Sequence, residues 1–139
     1  MHVIFVIYMQ TKAQRRQKLS RLRQELLESL ERLRQTIEVA LAHSPLIKGS
    51  VYQIARRCGN AHCRCTRGQL HRNFVLTWSE QGRHHMRSLA PERVTEIRKK
   101  SKEYARLRRA RSEILALGNR LLALVDQIQE LRRETLGDD

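Results

Sequence analysis

From Leu107 onward an apolar residue recurs at every third or fourth position: Leu107, Ala110, Ile114, Leu117, Leu121, Leu124, Ile128 and Leu131. This heptad pattern requires a helix whose seam is covered by another helix. The same chain holds a candidate partner. Between residues 11 and 43, Leu19, Leu22, Leu26, Leu30, Leu33, Ile37 and Leu41 recur at spacings of three and four, uninterrupted by Pro or Gly. Pro45 then ends the segment, because the residue before a proline avoids the helical region. Pro91 and Glu92 suit the first turn of the second helix. At 1.5 Å per residue the two helices would be roughly 50 and 65 Å long. Gly118 interrupts the second at a cost of about 1 kcal/mol, and reads as a tolerated surface glycine.

The expected fold is therefore mainly α with a small β-hairpin: two long antiparallel helices joined by a zinc-binding loop and the hairpin. The divisions are an N-terminal extension at 1–10, a first long helix at 11–45, a loop-and-hairpin module at 46–90, and a second long helix at 91–139. Charge sets the antiparallel sense. Residues 11–23 carry six Lys and Arg and no acid, whereas the far end of the second helix carries Glu113, Asp126, Glu130, Glu134, Asp138 and Asp139. Glu25, Glu28, Glu31 and Glu38 would face the basic stretch from Arg93 to Arg111. Each such pair is weak, but the repeated sign match selects an orientation. Two helices make a narrow core, so a homodimer through the helices is a further expectation.

The middle segment holds all three cysteines, the only Trp and four of the six glycines. An odd cysteine count excludes a pure disulfide framework. Cys58, Cys63, Cys65 and His71 follow the spacing C-x4-C-x-C-x5-H, which supplies the four thiolate and imidazole ligands of a closed structural zinc site. His62 is the alternative fourth ligand, restrained by its position directly before Cys63. Gly59 and Gly68 allow tight turns around a metal. The plainer reading is three reduced cysteines in a basic loop. A catalytic zinc needs an open position and a nearby base, and Glu80 is the only acid between Glu38 and Glu92.

Ser50–Arg56 suits a short strand. Residues 73–89 suit a hairpin with a three-residue loop, Glu80-Gln81-Gly82, in which Gly82 takes the left-handed position. That register opposes Trp78 to His84, Leu76 to Met86 and Phe74 to Ser88 on an apolar face. It sets Thr77 against His85, Ser79 against Arg83 and Val75 against Arg87 on a basic one. A two-stranded ribbon of that kind fits a DNA major groove, although an exposed face of Thr and Arg is also ordinary surface.

With 28 Lys and Arg against 14 Asp and Glu, the net charge is +14 and the pI about 11.0, which attracts polyanions. Residues 46–90 alone hold eight basic residues and one acid. The candidate nucleic-acid contacts are Arg56, Arg57, Arg64, Arg67, Arg83 and Arg87, with DNA ahead of RNA. Aromatics at 4% argue against a deep pocket. No Ser-His-Asp set, phosphate loop or carboxylate cluster is present, so no enzyme activity and no small-molecule substrate are expected. The apolar run from His2 to Met9 is shorter than the ~20 residues that span a bilayer and lacks a basic flank and cleavage site. It is assigned no function, and the expected setting is the reducing cytoplasm, without membrane partners. The alternative function is a zinc-capped coiled-coil adaptor that binds protein and no nucleic acid.

The run Gly49-Ser50, Arg56-Arg57-Cys58-Gly59, Cys63-Arg64-Cys65, Gly68, His71 and Leu76-Thr77-Trp78, followed by a basic helix, resembles a poorly characterised prokaryotic Cys-rich domain family. Its pattern is C-G-x3-C-x-C-x2-G-x2-H, then a hairpin and a long helix. The resemblance covers roughly residues 48–130 and matches Cys58, Cys63, Cys65 and His71. It departs after the histidine, where the family often has Gly-Pro and this chain has Arg72-Asn73. Some members stand in transposase or mobile-element contexts, so the resemblance implies a role around mobile DNA.

Overall fold

The computed structural model describes residues 11–134. The N-terminal extension at 1–10 and the acids Asp138 and Asp139 lie outside the described residues. The chain divides into two compact units, one from the described parts of Met1–Ala40 and Arg111–Asp139, the other from Leu41–Ala110.

The first unit is a helix pair. Helix α1, Lys12–Ala40, starts with a capping box: Thr11 Oγ1 accepts the Gln14 N–H at 3.2 Å, and Gln14 Oε1 accepts the Thr11 N–H at 2.9 Å. It ends at Ala40, short of the expected boundary at 45. Its partner is the later part of α2, Val94–Arg132. The seam of α2 runs as its heptad requires, with Ala110 and Leu124 buried and Ile114, Leu117, Leu121, Ile128 and Leu131 half-buried.

The seam of α1 differs from expectation. Leu19, Leu22, Leu26, Ser29, Leu33 and Thr36 turn inward, whereas Leu30 and Ile37 are exposed, as is Leu41 beyond the helix. The reason is the period. The all-apolar series 19, 22, 26, 30, 33, 37, 41 repeats every eleven residues, which winds right-handed, whereas the partner seam repeats every seven. Two helices stay in contact only on one period, so α1 accepts Ser29 and Thr36. The Thr36 hydroxyl is satisfied by donating to the Arg32 carbonyl at 2.9 Å.

Two ion pairs cross the seam, Arg32–Glu113 and Arg120–Glu25, each at 2.6 Å. They establish the antiparallel sense. The expected facing of Glu25, Glu28, Glu31 and Glu38 onto Arg93–Arg111 is not what orients it. Glu25 reaches Arg120, while Glu28 bonds Gln24 and both Glu31 and Glu38 bond Arg34 within α1.

The second unit is a three-stranded antiparallel sheet, β1 Ser50–Arg56, β2 His71–Glu80 and β3 Arg83–Leu89, in the order β1-β2-β3. Strand β1 therefore extends the expected hairpin. A 3-10 turn, Pro91–Arg93, leads into α2. The first turns of α2 pack on the sheet face bearing Phe74 and Leu76. Arg98 lies 5.1 Å over the Phe74 ring, a cation–π contact, and Val94 and Ile97 are buried. The Ser101 hydroxyl donates to the Gly49 carbonyl at 2.6 Å, and the Ile47 N–H to the Lys100 carbonyl at 3.1 Å.

The hairpin register is corrected by one residue. Glu80 pairs with Arg83, Ser79 with His84, Trp78 with His85, Thr77 with Met86 and Leu76 with Arg87. The loop is two residues, Gln81 at φ 49° and Gly82 at φ 73°, and two positive φ values make the tight turn that matches strand twist. Because faces alternate along a strand, the slip moves every β3 side chain across the sheet. Arg83, His85 and Arg87 share the face of Phe74, Leu76 and Trp78, with Trp78 stacked on His85 at 5.1 Å. Met86 and His84 share the other face, with Val75 and Thr77.

Gly49 is required where it stands. It adopts φ +129°, and a Cβ there would lie 2.5 Å from the Thr77 carbonyl oxygen. Gly49→Ala is expected to destabilise the sheet unit by about 2 kcal/mol or more, read as a lowered denaturant midpoint. A change within about 0.5 kcal/mol, the range of ordinary surface substitutions, would contradict this packing.

Candidate metal centre

The β1–β2 ladder ends on Arg56 paired with His71. The fourteen residues between them, 57–70, leave the sheet and carry the three cysteines. Strand pairing therefore fixes the position of His71, and the loop must return the sulfurs to it. Asn60 organises the first bend: its Oδ1 accepts the His62 N–H at 2.9 Å, and its carbonyl accepts the Cys63 N–H at 3.1 Å. A short 3-10 helix, Arg64–Arg67, follows and is closed by Gly68 in the left-handed conformation at φ 99°. Sequence reasoning passed over Asn60, whose signal is a turn-forming Asn directly after a glycine.

The ligand atoms of Cys58, Cys63, Cys65 and His71 all lie within 4.8 Å of one another. The Sγ atoms of Cys58 and Cys65 are 3.6 Å apart, and Cys63 Sγ is 3.1 Å from His71 Nε2. Zinc–sulfur bonds of about 2.3 Å in a tetrahedron imply a sulfur–sulfur edge of about 3.8 Å. The four donors fit a closed Cys3His site. Among the described residues His62 is not part of this group, so His71 is the fourth member.

The three thiols are not equivalent. Cys65 is fully buried, Cys63 half-buried and Cys58 exposed. The Cys65 backbone N–H, then the His71 ring and the other two thiols, hold Cys63 down at about 6. Cys65 accepts the Cys58 N–H, which favours its thiolate, but burial and the neighbouring sulfurs push its thiol up overall.

The six arginines proposed from sequence are all exposed. Arg57, Arg64 and Arg67 belong to the metal loop, and Arg56 lies on the His71 face of the sheet. Arg83 and Arg87 occupy the opposite face, so the basic ribbon face expected from Thr77, Ser79 and Val75 does not form. Arg56, Arg57, Cys58, His71 and Asn73 line a recess of about 490 Å³. Asn73 was missed by sequence reasoning; its two-residue spacing from His71 along the strand is the signal.

The chain belongs to a family described as a domain of unknown function, DUF6788, which matches residues 12–99. The match takes in α1 and ends within the first turns of α2, so it begins earlier and stops sooner than the resemblance over 48–130 implied. No curated protein and no solved structure shows significant similarity to the chain. No helix among the described residues is long and apolar enough to cross a membrane.

During a brief exposure of the metal-loaded, folded protein to iodoacetamide at pH 7, the fully buried Cys65 is expected to be alkylated last of the three cysteines, as read by peptide mass spectrometry. Equal rates at all three would contradict the thiol environments described. Because the Cys63 thiol lies below its ordinary value, its ionisation favours the folded loop above the unfolded pKa near 9. That contribution is lost as the pH falls through about 6. Metal retention followed by atomic emission is expected to fail over the same acid range, since protons compete for the ligands.

Proposed function

We propose that this member of the DUF6788 family is a small zinc-stabilised nucleic-acid-binding protein, with duplex DNA as the first candidate ligand and mobile DNA as its setting. Thiolate and imidazole donors in a closed set of four suit Zn²⁺, and they serve folding rather than catalysis. Cys58, Cys63, Cys65 and His71 would hold the ion. Its binding would supply the folding free energy that the loop lacks by itself.

One observation carries the nucleic-acid reading. Residues 41–110 hold sixteen Lys and Arg against four Glu, a net of +12 out of the chain's +14. The helix-pair unit is close to neutral by comparison. Charge concentrated in one compact unit is the electrostatic footprint of a phosphate-binding surface. Arg56, Arg57, Arg64 and Arg67 cluster around the metal loop and would contact backbone phosphates. Arg83 and Arg87 lie across the sheet and would contribute a separate edge. Phosphate contacts of this kind position a protein without reading sequence.

The test is a fluorescence-anisotropy titration of labelled duplex, single strand and structured RNA across salt. Affinity is expected to fall linearly on a log–log plot. Each loop arginine changed to Ala should reduce the slope by about 0.9 if it contacts a duplex phosphate. Absence of binding to all three at low salt, with metal retained, would overturn this reading and leave a metal-capped helical adaptor.

A further inference from the structure

The helix pair leaves apolar side chains that its own seam does not use. On α1, Leu27, Leu30 and Ile37 are 66, 52 and 39% exposed; on α2, Leu115, Leu122 and Val125 are 62, 66 and 47% exposed. Each stands one position after a seam residue. In an antiparallel pair, stepping one residue on rotates the two helices in opposite senses as seen from one end. The two stripes therefore fall on the same side, and the pair has a second apolar face, on which Arg34 separates Leu30 from Ile37.

We propose that this face is covered by a second copy of the chain, giving a four-helix assembly. Three observations select that occupant. The first is self-complementary shape. In both crossing ion pairs the residue numbers add to 145. Leu27 is therefore level with Gly118, and Leu30 with Leu115. A two-fold axis running along the helices lays α1 of one copy over α2 of the other at the same level. Leu27 then meets Gly118 of the second copy, and Leu30 meets its Leu115, each contact occurring twice.

Gly118 is the second observation. Among the described residues nothing lies within 4 Å of where its Cβ would be, so none of them requires a glycine there. Glycine is disfavoured in a helix interior, and a notch that admits a leucine from outside accounts for it. The third is area and charge. From Val125, level with Ser20, to Ile37 the face is about 26 Å long and about 20 Å wide, on the order of 510 Å² per copy and ~1,000 Å² in all, at the lower bound for a specific interface. At its end Arg34 is bonded to both Glu31 and Glu38, leaving a net negative charge level with Arg111 of the second copy.

The test is sedimentation equilibrium on the full metal-loaded chain, which is expected to show a dimer at about micromolar concentration. Leu30→Glu and Leu122→Glu should each weaken it about 100-fold. Far-UV circular dichroism should stay unchanged, since both side chains are exposed. Gly118→Leu fills the notch and should weaken the dimer about tenfold, while replacing a poor helix former with a good one. Loss of the dimer in that variant cannot be assigned to unfolding. A wild-type monomer up to about 100 µM would overturn the proposal, as would a dimer indifferent to all three substitutions. A monomer that dimerises only after removal of residues 1–10 would assign the face to the chain's own N-terminal segment, and would also overturn it. The inference is independent of what the basic unit binds.

Discussion

Three thiols held with an imidazole within 4.8 Å of one another cannot all become thiolates without a cation between them. That constraint organises the sheet unit. Its apolar interior is thin: Val75, Leu76, Val94, Ile97 and the buried Cys65 account for most of it. Three short strands with so little beneath them are marginal by hydrophobic burial alone. The loop at 57–70 adds the conformational entropy of fourteen ordered residues with only a few backbone hydrogen bonds to offset it. Metal coordination is the interaction able to close that gap. A metal held by this cluster would act at the ladder end, where the Arg56–His71 pair ties the four side chains to the strands.

The helix pair rests on a different balance. Its seam is made of leucines, isoleucines, Ala110 and two hydroxyl residues, and its crossing ion pairs are solvent-exposed and contribute little to stability. Their value is orientation and register. Division of labour follows from composition: the sheet unit carries nearly all of the net charge, and the helix pair carries the unused apolar surface. Polyanion contact and self-association would then be properties of separate parts of one chain.

Much of this was legible in the amino-acid order, for identifiable reasons. The Cys3His set was legible because ligand chemistry narrows the choice of residues and spacing limits the loop. The α2 seam was legible because all its positions are apolar at one period. The α1 seam was not, because α1 has more leucines than its seam uses. Choosing the most apolar series selected Leu30 and Ile37 over Ser29 and Thr36, whereas a shared seven-residue period with α2 selects the reverse. The hairpin register was missed because Gln81 adopts a positive φ, which favours glycine and is uncommon for other residues. One residue of loop length then exchanged the two faces of β3 and separated Arg83 and Arg87 from Arg56.

The most direct test of metal-dependent folding is hydrogen exchange by mass spectrometry on the full chain with and without a zinc chelator. On chelation, amide protection is expected to collapse across residues 50–80. It should persist in α1 and in α2 beyond Arg111, whose hydrogen bonds do not depend on the cysteine loop. Unchanged protection across 50–80 after the metal is removed, or absence of any metal in the starting protein alongside full protection there, would contradict the account.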